Sequence, residues 1–535
     1  MPENDIQPTS LSISSFIRLS RMNPTQQAWL VVLLLMISMI LALVLRLHGL
    51  DKQSFWIDEA ASLYFAKLSW TDLWGERSVL ETNPPLYYSL LKLMLVFGNS
   101  ETTVRMLSVV LGVLTIPVVY VIGRVLMGPG TGLVGACLLA TSYQHIKYCQ
   151  DARAYPLLML ASSLAILATC RLLMNPAQAN CPLWKWGGLN KNSKHSNTIK
   201  PMWGMWVLYG LSVITSLYTH NTAVLVPVVL STCAVVVTLA RRPFKWNFAW
   251  NWTIVNMLTL AAYAWWLPVV VQQQNQGLQD FWILGLSWTR ISEVLYELFG
   301  NFYFFSGKPW FDYLLWCLAI IGMFSLRSRF SSWVVLLFVA VGPVTLATLL
   351  SLRTPILIDR ILIWCLIGYY LLLARGLTLW HRPWIFLPLV MLVLAGQIKS
   401  SLNFVDMASK EPWRQMANHI ISRIQPGDSI IYVPATSAMA YRIYHPATNH
   451  QQWAIVQDQM EPHWYVPDIP TTSPTPLLQT LDQQQRLWVI VRRGGTRSSN
   501  TLCETTLTTL TGEWTKAEHI KWSNLETFLY LRETN

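Results

Sequence analysis

The sequence predicts an α-helical, polytopic membrane protein of about eleven spans, closed by a small α/β domain on the outer face. Three observations carry this. The 535 residues are 53% hydrophobic and 12% charged, with a mean hydropathy of +0.36; soluble chains carry roughly 25% charged residues. Apolar runs of bilayer length, about 20 residues, recur between residues 29 and 400. Beyond residue 400 the long apolar runs stop, and charge, Pro and Gln return.

The elements follow in order. Residues 1–28 read as a polar cytoplasmic tail. The run 29–48 is the first span; it is long and lacks a small-residue cleavage site, so it reads as a signal anchor. Residues 49–101 form a first outer loop, with short amphipathic pieces such as 84–97 lying at the interface. Further spans are expected at 102–124, 131–147, 154–174, 203–220, 222–240, 250–271, 311–326, 331–352, 360–379 and 383–400, completing a transmembrane domain of residues 29–400. Residues 401–535 read as an extracytoplasmic α/β domain. It has strands at 429–433, 487–491 and 528–532, an amphipathic helix at 410–424 stopped by Pro426-Gly427-Asp428, and a loop at 471–476.

Charge orients the chain. With the N-terminus inside, cytoplasmic loops carry Arg124, Arg171, Lys185, Lys191, Lys194, Lys200, Arg241, Arg242, Lys245, Arg327, Arg329, Arg375 and Arg382. The acids Asp58, Glu59, Asp72, Glu76, Glu81, Glu101, Asp151 and Asp280 fall outside. This is the positive-inside bias. It also accounts for the net charge of +12 without nucleic acid, since no basic patch stands on a soluble fold. The 8 cysteines show no metal-ligand or disulfide spacing.

The chemistry concentrates in the outer loops. In Trp56-Ile57-Asp58-Glu59-Ala60 two adjacent carboxylates stand beside the membrane surface, where an acid must be hydrated, paired, metal-bound or neutralised. Asp58 within reach of a hydroxyl is a general base. The plainer reading is that the pair caps a helix starting at Ala60, and it fits Glu59 better than Asp58. Gln150-Asp151-Ala152-Arg153-Ala154-Tyr155 opens a later span. Asp151 is a candidate ligand for a divalent cation, Mg or Mn, or a tuning charge for Asp58. Arg153 is a partner for Asp151 or for a phosphate. Arg105 begins a span after Glu101, where the plainer reading is a snorkelling anchor. Asp359-Arg360 begins another. Trp56, Asn83, Tyr87, Tyr88, His145 and Tyr155 are candidates to line the substrate; the Tyr pair also fits an aromatic belt, and His145 a hydrogen-bonded interface residue.

At these residues the chain resembles the C-type (GT-C) glycosyltransferases, and within them the polyprenyl-phosphate-sugar transferases of the protein mannosyltransferase and aminoarabinose transferase superfamily (glycosyltransferase family 39-like). The resemblance rests on Trp56-Ile57-Asp58-Glu59 after the first span, Asn83-Pro84-Pro85-Leu86-Tyr87-Tyr88, Arg105 and the 150–155 loop. It covers about residues 29–240 by motif and reaches 400 by topology. It departs where aminoarabinose-type relatives often carry Lys before the Pro turn and this chain has Asn83, and where Asp151 shortens a more usual Glu. The resemblance implies a GT-C fold with catalytic Asp58, Glu59 and Asp151, Asp151 also a metal candidate, and with Arg105, Arg153 and Arg360 on the donor phosphate.

The expected activity is therefore a membrane glycosyltransferase in the inner or plasma membrane, with its site on the periplasmic or extracytoplasmic face. It moves a sugar from a polyprenyl phosphate to an acceptor hydroxyl on a lipid, protein or polysaccharide by inverting single displacement. Two other classes compete. A transporter or flippase shares the spans, yet the chain shows neither inverted repeats nor paired broken spans. A non-catalytic scaffold with a sensing outer domain gives no reason for an acid pair beside the membrane.

Overall fold

In the computed structural model the structure describes residues 23–75, 81, 83–174, 202–241, 244–277, 283, 285–300, 310–380, 382–407, 410–445, 450–457, 468–481, 483–494 and 497–532. The expected cytoplasmic lysines between 185 and 200, Arg18, Arg21, Glu76, Arg242 and Asp280 lie outside the described residues.

The first helix, α1 (Pro24–Leu47), starts at a capping box: Asn23 Oδ1 accepts from Gln26 N at 2.8 Å, and Gln26 Oε1 from Asn23 N at 3.0 Å, with Pro24 in the position that needs no N–H. The first outer loop then carries α2 (Ile57–Lys67), α3 (Trp70–Trp74) and α4 (Leu86–Met94). Four helices follow: α5 (Glu101–Met127), α6 (Pro129–Thr141), α7 (Tyr143–Cys149) and α8 (Tyr155–Leu173). All eleven expected spans fall on apolar helices. Seven are long enough to cross a bilayer, and four, Pro129–Thr141, Trp203–Leu217, Trp310–Ser325 and Cys365–Leu377, are shorter. The expected span 131–147 is corrected to two helices: Ser142 is extended, and its hydroxyl accepts from His145 N at 3.3 Å to cap α7.

Backbones meet closely inside the bundle. A Cβ on Gly376 would stand 1.9 Å from the Leu318 carbonyl oxygen, and one on Gly322 2.1 Å from that of Leu372. The helices Trp310–Ser325 and Cys365–Leu377 therefore touch main chain to main chain, the packing that replaces the hydrophobic drive in lipid.

After the last long helix, Pro383–Asp406, the chain forms a six-stranded sheet in the order β3-β2-β1-β4-β6-β5. The strands are β1 (Ser429–Val433), β2 (Gln451–Ile455), β3 (Thr471–Thr472), β4 (Arg486–Arg492), β5 (Trp514–Trp522) and β6 (Leu525–Arg532). β1 to β4 run parallel and β6 and β5 antiparallel. The three expected strands are present, and β2, β3 and β5 are added. Segment 471–476, expected as a loop, supplies β3 and the start of a helix at Pro474. The helix expected from residue 410 begins at Trp413, because Pro412 holds its cap position. That frees Lys410 and Glu411 from helical geometry.

The sheet domain grips the first outer loop. Helix Ser437–Tyr444 packs on α2, and Ala60 shares a core with Trp413, Met416 and Tyr441. Tyr444 Oη accepts from Phe55 N at 2.7 Å and donates to Glu101 at 2.8 Å. Arg414 donates to Glu101 at 2.6 Å and to the Asp51 carbonyl at 3.0 Å. The Lys/Arg pattern predicts this end to be extracytoplasmic. A reporter active only outside the cytoplasm, fused after Met407, is expected to be active; activity of a cytoplasm-only reporter there reverses the topology.

Candidate active site

The site begins at a buried ion pair. Arg105, near the start of α5, and Glu59, in the first turn of α2, are both sealed from solvent. Arg105 Nε donates to Glu59 Oε1 and Nη2 to Oε2, each at 2.7 Å. Nη1 donates to the Leu50 and Gln53 carbonyls at 2.6 and 2.9 Å, and Nη2 to that of Ser54 at 3.0 Å. All five N–H groups are thus spent. The guanidinium folds residues 50–54 around itself and has no donor left for a phosphate, which revises the expectation for Arg105.

Glu59 holds three more groups. Its carboxylate accepts from Ala152 N at 2.9 Å, from Trp56 N at 3.4 Å and from Lys410 Nζ at 3.2 Å. Burial alone would raise its pKa. Lys410 and Arg105 outweigh burial and bring it from 4.5 to about 2.

The neighbouring acid takes the opposite direction. Helix α2 starts at Ile57, three residues before the expected Ala60, so Asp58 and Glu59 stand at successive positions of its first turn, about 100° apart on the helix. Glu59 points in. Asp58 points out, its side chain 27% exposed, with Oδ2 at 3.2 Å from Arg360 Nη1. Arg153, buried, donates from Nη1 to the Asp58 carbonyl at 3.1 Å and to Ser62 Oγ at 3.4 Å. Arg360 also lies over the Tyr155 ring, 5.8 Å from its centroid. The preceding residue, Asp359, pairs with Lys147 at 3.6 Å and accepts from Tyr148 Oη. The structure therefore gathers Asp58, Glu59, Asp151, Arg105, Arg153, Arg360 and Tyr155 into one cluster.

The other expected residues are placed differently. Asn83 is buried and donates to Glu81 Oε1 at 2.8 Å. Tyr87 and Tyr88 are buried in the wall. Tyr87 Oη meets Ser108 Oγ at 2.9 Å, and Ser108 donates to the Arg153 carbonyl at 3.3 Å. The Tyr88 ring packs on Phe65. His145 turns toward α1, where its Nδ1 meets Arg46 Nη2 at 2.8 Å. All four side chains are buried. Trp56, half-buried, opens α2 and leaves its indole N–H buried without an acceptor.

Asp151 was a candidate metal ligand. Its Oδ1 stands 2.6 Å from Lys410 Nζ, and among the described residues no three His, Cys, Asp or Glu side chains converge as a metal site would require. The donor set at Asp151 does not fit a divalent cation.

Three residues escaped the sequence reading. Lys410 reaches the cluster from the sheet domain, 351 residues from Glu59. Glu411, beside it, accepts from Ile57 N at 3.2 Å and from Trp413 Nε1 at 2.7 Å, which fixes the start of α2 next to Asp58. His220, in the break between two apolar runs, faces Tyr155 at 6.1 Å between ring centroids. Its Nδ1 accepts from Thr222 N at 3.2 Å, leaving Nε2 as the protonated nitrogen. Burial first, then Arg153 and Arg360, push its pKa down to about 3, so it is neutral at physiological pH.

Residues 82–197 match the family model described as dolichyl-phosphate-mannose-protein mannosyltransferase. No curated protein matches the chain in sequence. Among solved structures, ArnT from Cupriavidus metallidurans in the apo state superposes with a TM-score of 0.62 at 11% identity, over 92% of this chain and 97% of that one. The chain has a GT-C glycosyltransferase fold. The same ArnT bound to undecaprenyl phosphate gives a TM-score of 0.61 at 12% identity, over 92% and 97% of the two chains. The Archaeoglobus fulgidus oligosaccharyltransferase in complex with Zn and sulfate gives 0.51 at 9% identity, over 93% of this chain and 73% of that one.

Replacing Glu59 by Gln strands two buried cations. Breaking a buried pair in this way costs about 3–5 kcal/mol, so Glu59→Gln is expected to lower the thermal midpoint markedly. The pH dependence carries the same signature. Glu59 titrates lower folded than unfolded, so its contribution is complete above pH 4.5 and is lost as pH falls from there toward about 2. The wild-type midpoint should drop across that window more steeply than that of Glu59→Gln; parallel curves would contradict the assignment.

Proposed function

We infer that the protein is a membrane glycosyltransferase that moves a sugar from a polyprenyl-phosphate donor to an acceptor hydroxyl, with Asp58 as the general base and the site on the extracytoplasmic face of the inner or plasma membrane. The observation that carries this is the half-open Asp58 carboxylate facing Arg360, with Arg153 on the carbonyl of the same residue. It puts a base and two cations at one point beside a helical bundle. The GT-C fold and the mannosyltransferase family match over residues 82–197 support the reaction class. The undecaprenyl phosphate carried by ArnT supports a lipid-phosphate donor.

In this reading the acceptor oxygen attacks the anomeric carbon while its proton passes to Asp58. The bond from that carbon to the phosphate oxygen breaks, and the lipid phosphate leaves with the electron pair from the opposite face, inverting the centre. Charge develops on the leaving oxygen, where Arg153 and Arg360 stabilise it, with neutral His220 adding an N–H donor. Arg105 and Glu59 bind no substrate; they hold α2 and the 150–154 segment in register. Without donor, Arg360 neutralises Asp58. An arriving phosphate competes for that guanidinium and leaves the base free. Apolar walls between helices take the prenyl chain, and bringing both substrates together supplies much of the rate.

Asp58→Asn is nearly isosteric and is expected to fold normally, with transfer down by at least about a hundredfold, the scale of a general base. Near-normal transfer by the folded variant would return Asp58 to a helix-start role. Arg360→Lys cannot make a paired contact with phosphate, so it is expected to lower kcat/KM for the lipid donor, with kcat falling as well because the contact strengthens in the transition state. The donor class is decided by offering reconstituted protein a polyprenyl-phosphate sugar and a nucleotide sugar side by side. Transfer from the nucleotide sugar alone would overturn the proposal.

A further inference from the structure

The acids of the cluster raise a question of charge. Three carboxylates, Asp58, Glu59 and Asp151, stand with three arginines, Arg105, Arg153 and Arg360. Arg105 answers Glu59 and Arg360 answers Asp58. Asp151 is left over, buried, and an unpaired buried charge is expensive. A buried carboxylate is paired with a cation or coordinates a metal. In this chain the cation is covalent. Lys410 Nζ stands 2.6 Å from Asp151 Oδ1, 3.2 Å from Glu59 Oε2 and 3.0 Å from the Gln150 carbonyl oxygen. Those three contacts use all three ammonium N–H donors, and the side chain is 11% exposed.

We propose that Lys410 is the fixed cation of the site: from the outer domain it balances Glu59 and Asp151 as a bound divalent metal would, and it makes the docked domain a working part of the site. It is a positioning residue, touching the acids and not the substrate. Its geometry is built in. Pro412 keeps residue 410 out of the following helix. Lys410 N is held by Gln53 Oε1 at 2.8 Å, and the Glu411 carbonyl and carboxylate tie the next residue to Ser54 Oγ at 2.9 Å and Ile57 N at 3.2 Å. What the balanced site does in transfer rests on the glycosyl-transfer reading; the occupation of the acid pair by Lys410 does not.

The test uses the full chain in lipid nanodiscs with Mn2+ as the probe, read by electron paramagnetic resonance. Wild-type protein is expected to take up no Mn2+ at the cluster. Lys410→Met should gain one equivalent, bound at least about tenfold more tightly than by wild type, a shift of about 1.4 kcal/mol. Lys410→Met combined with Asp151→Asn should lose it again. Mn2+ bound by wild type and lost in Asp151→Asn overturns the proposal, as does a Lys410→Met protein with no gain. Should Lys410→Met prove too unstable to purify, the double variant decides. Removing the acid with the cation should restore the melting temperature, and a double variant no more stable than the single one overturns the proposal. Turnover separates the two readings. Transfer from a polyprenyl-phosphate sugar should survive EDTA in wild type, and a strict Mn2+ requirement counts against Lys410. Absence of any lipid-donor turnover sinks the transfer reading alone, since the Mn2+ titration still judges Lys410.

Discussion

The bidentate pair between Glu59 and Arg105 is the constraint on which the rest of the site depends. Neither ion sees solvent, so each is tolerable only with every valence met. Arg105 meets its own by drawing in three carbonyls of the first outer loop, and Glu59 by drawing in the Ala152 amide and Lys410. Four separate stretches of chain are thereby fastened to one point: the loop after α1, the first turn of α2, the segment before α8 and the start of the sheet domain. The pair need not add net stability over an apolar substitute. What it supplies is register.

Register matters because Asp58 is one residue away. On a helix, adjacent side chains diverge by about 100°, so anchoring Glu59 inward forces Asp58 outward, toward Arg360 and the open side of the cluster. The adjacency of the two acids, which reads in the sequence as a doubled functional signal, is in space a division of labour. One carboxylate is fully desolvated and depressed to about 2; the other stays partly exposed beside Arg360. Glu411 completes the arrangement by accepting from Ile57 N, one of the unsatisfied amides at the start of α2.

Much of this was legible in the sequence, for identifiable reasons. Spans follow from hydropathy because lipid forces each backbone group to be satisfied within its own helix, and every expected span but 131–147, which is broken at Ser142, falls on one apolar helix. Asp58, Asp151, Arg153 and Arg360 stood out as charges beside the membrane, and the fold brings them together. What sequence could not supply was direction. Nothing local distinguishes an Arg that snorkels or binds phosphate from Arg105, which turns back onto its own loop. Nothing in Lys410-Glu411-Pro412 marks a lysine that closes a site 351 residues away. The misplaced helix start at residue 410 had the same root: amphipathic periodicity runs through the segment, and Pro412 stops it short of Lys410. His220 had a faint signal, a polar break between two apolar runs, and its neutrality depends on cations that only the fold brings near.

The sheet domain is consequently more than a neighbour of the membrane domain. Its contacts with the first outer loop are of two kinds. Surface pairs such as Lys52 with Asp406, each about half or more exposed, are worth little and screened by salt. The contacts through Tyr444, Glu411 and Lys410 are buried or half-buried and land on Phe55, Ile57 and Glu59, near Asp58, and those of Glu411 and Lys410 use charged groups. Charge-assisted bonds in such surroundings are the strong ones. The packing of Ala60 into the domain core with Trp413 and Tyr441 adds a contact that tolerates no larger side chain without repacking. The position of Asp58 is thus fixed from two directions, by Arg105 out of the membrane bundle and by the 410–413 segment out of the sheet domain. A displacement of either would move Asp58 relative to Arg153 and Arg360, and an error of about 1 Å at a reacting centre is enough to cost two orders of magnitude in rate.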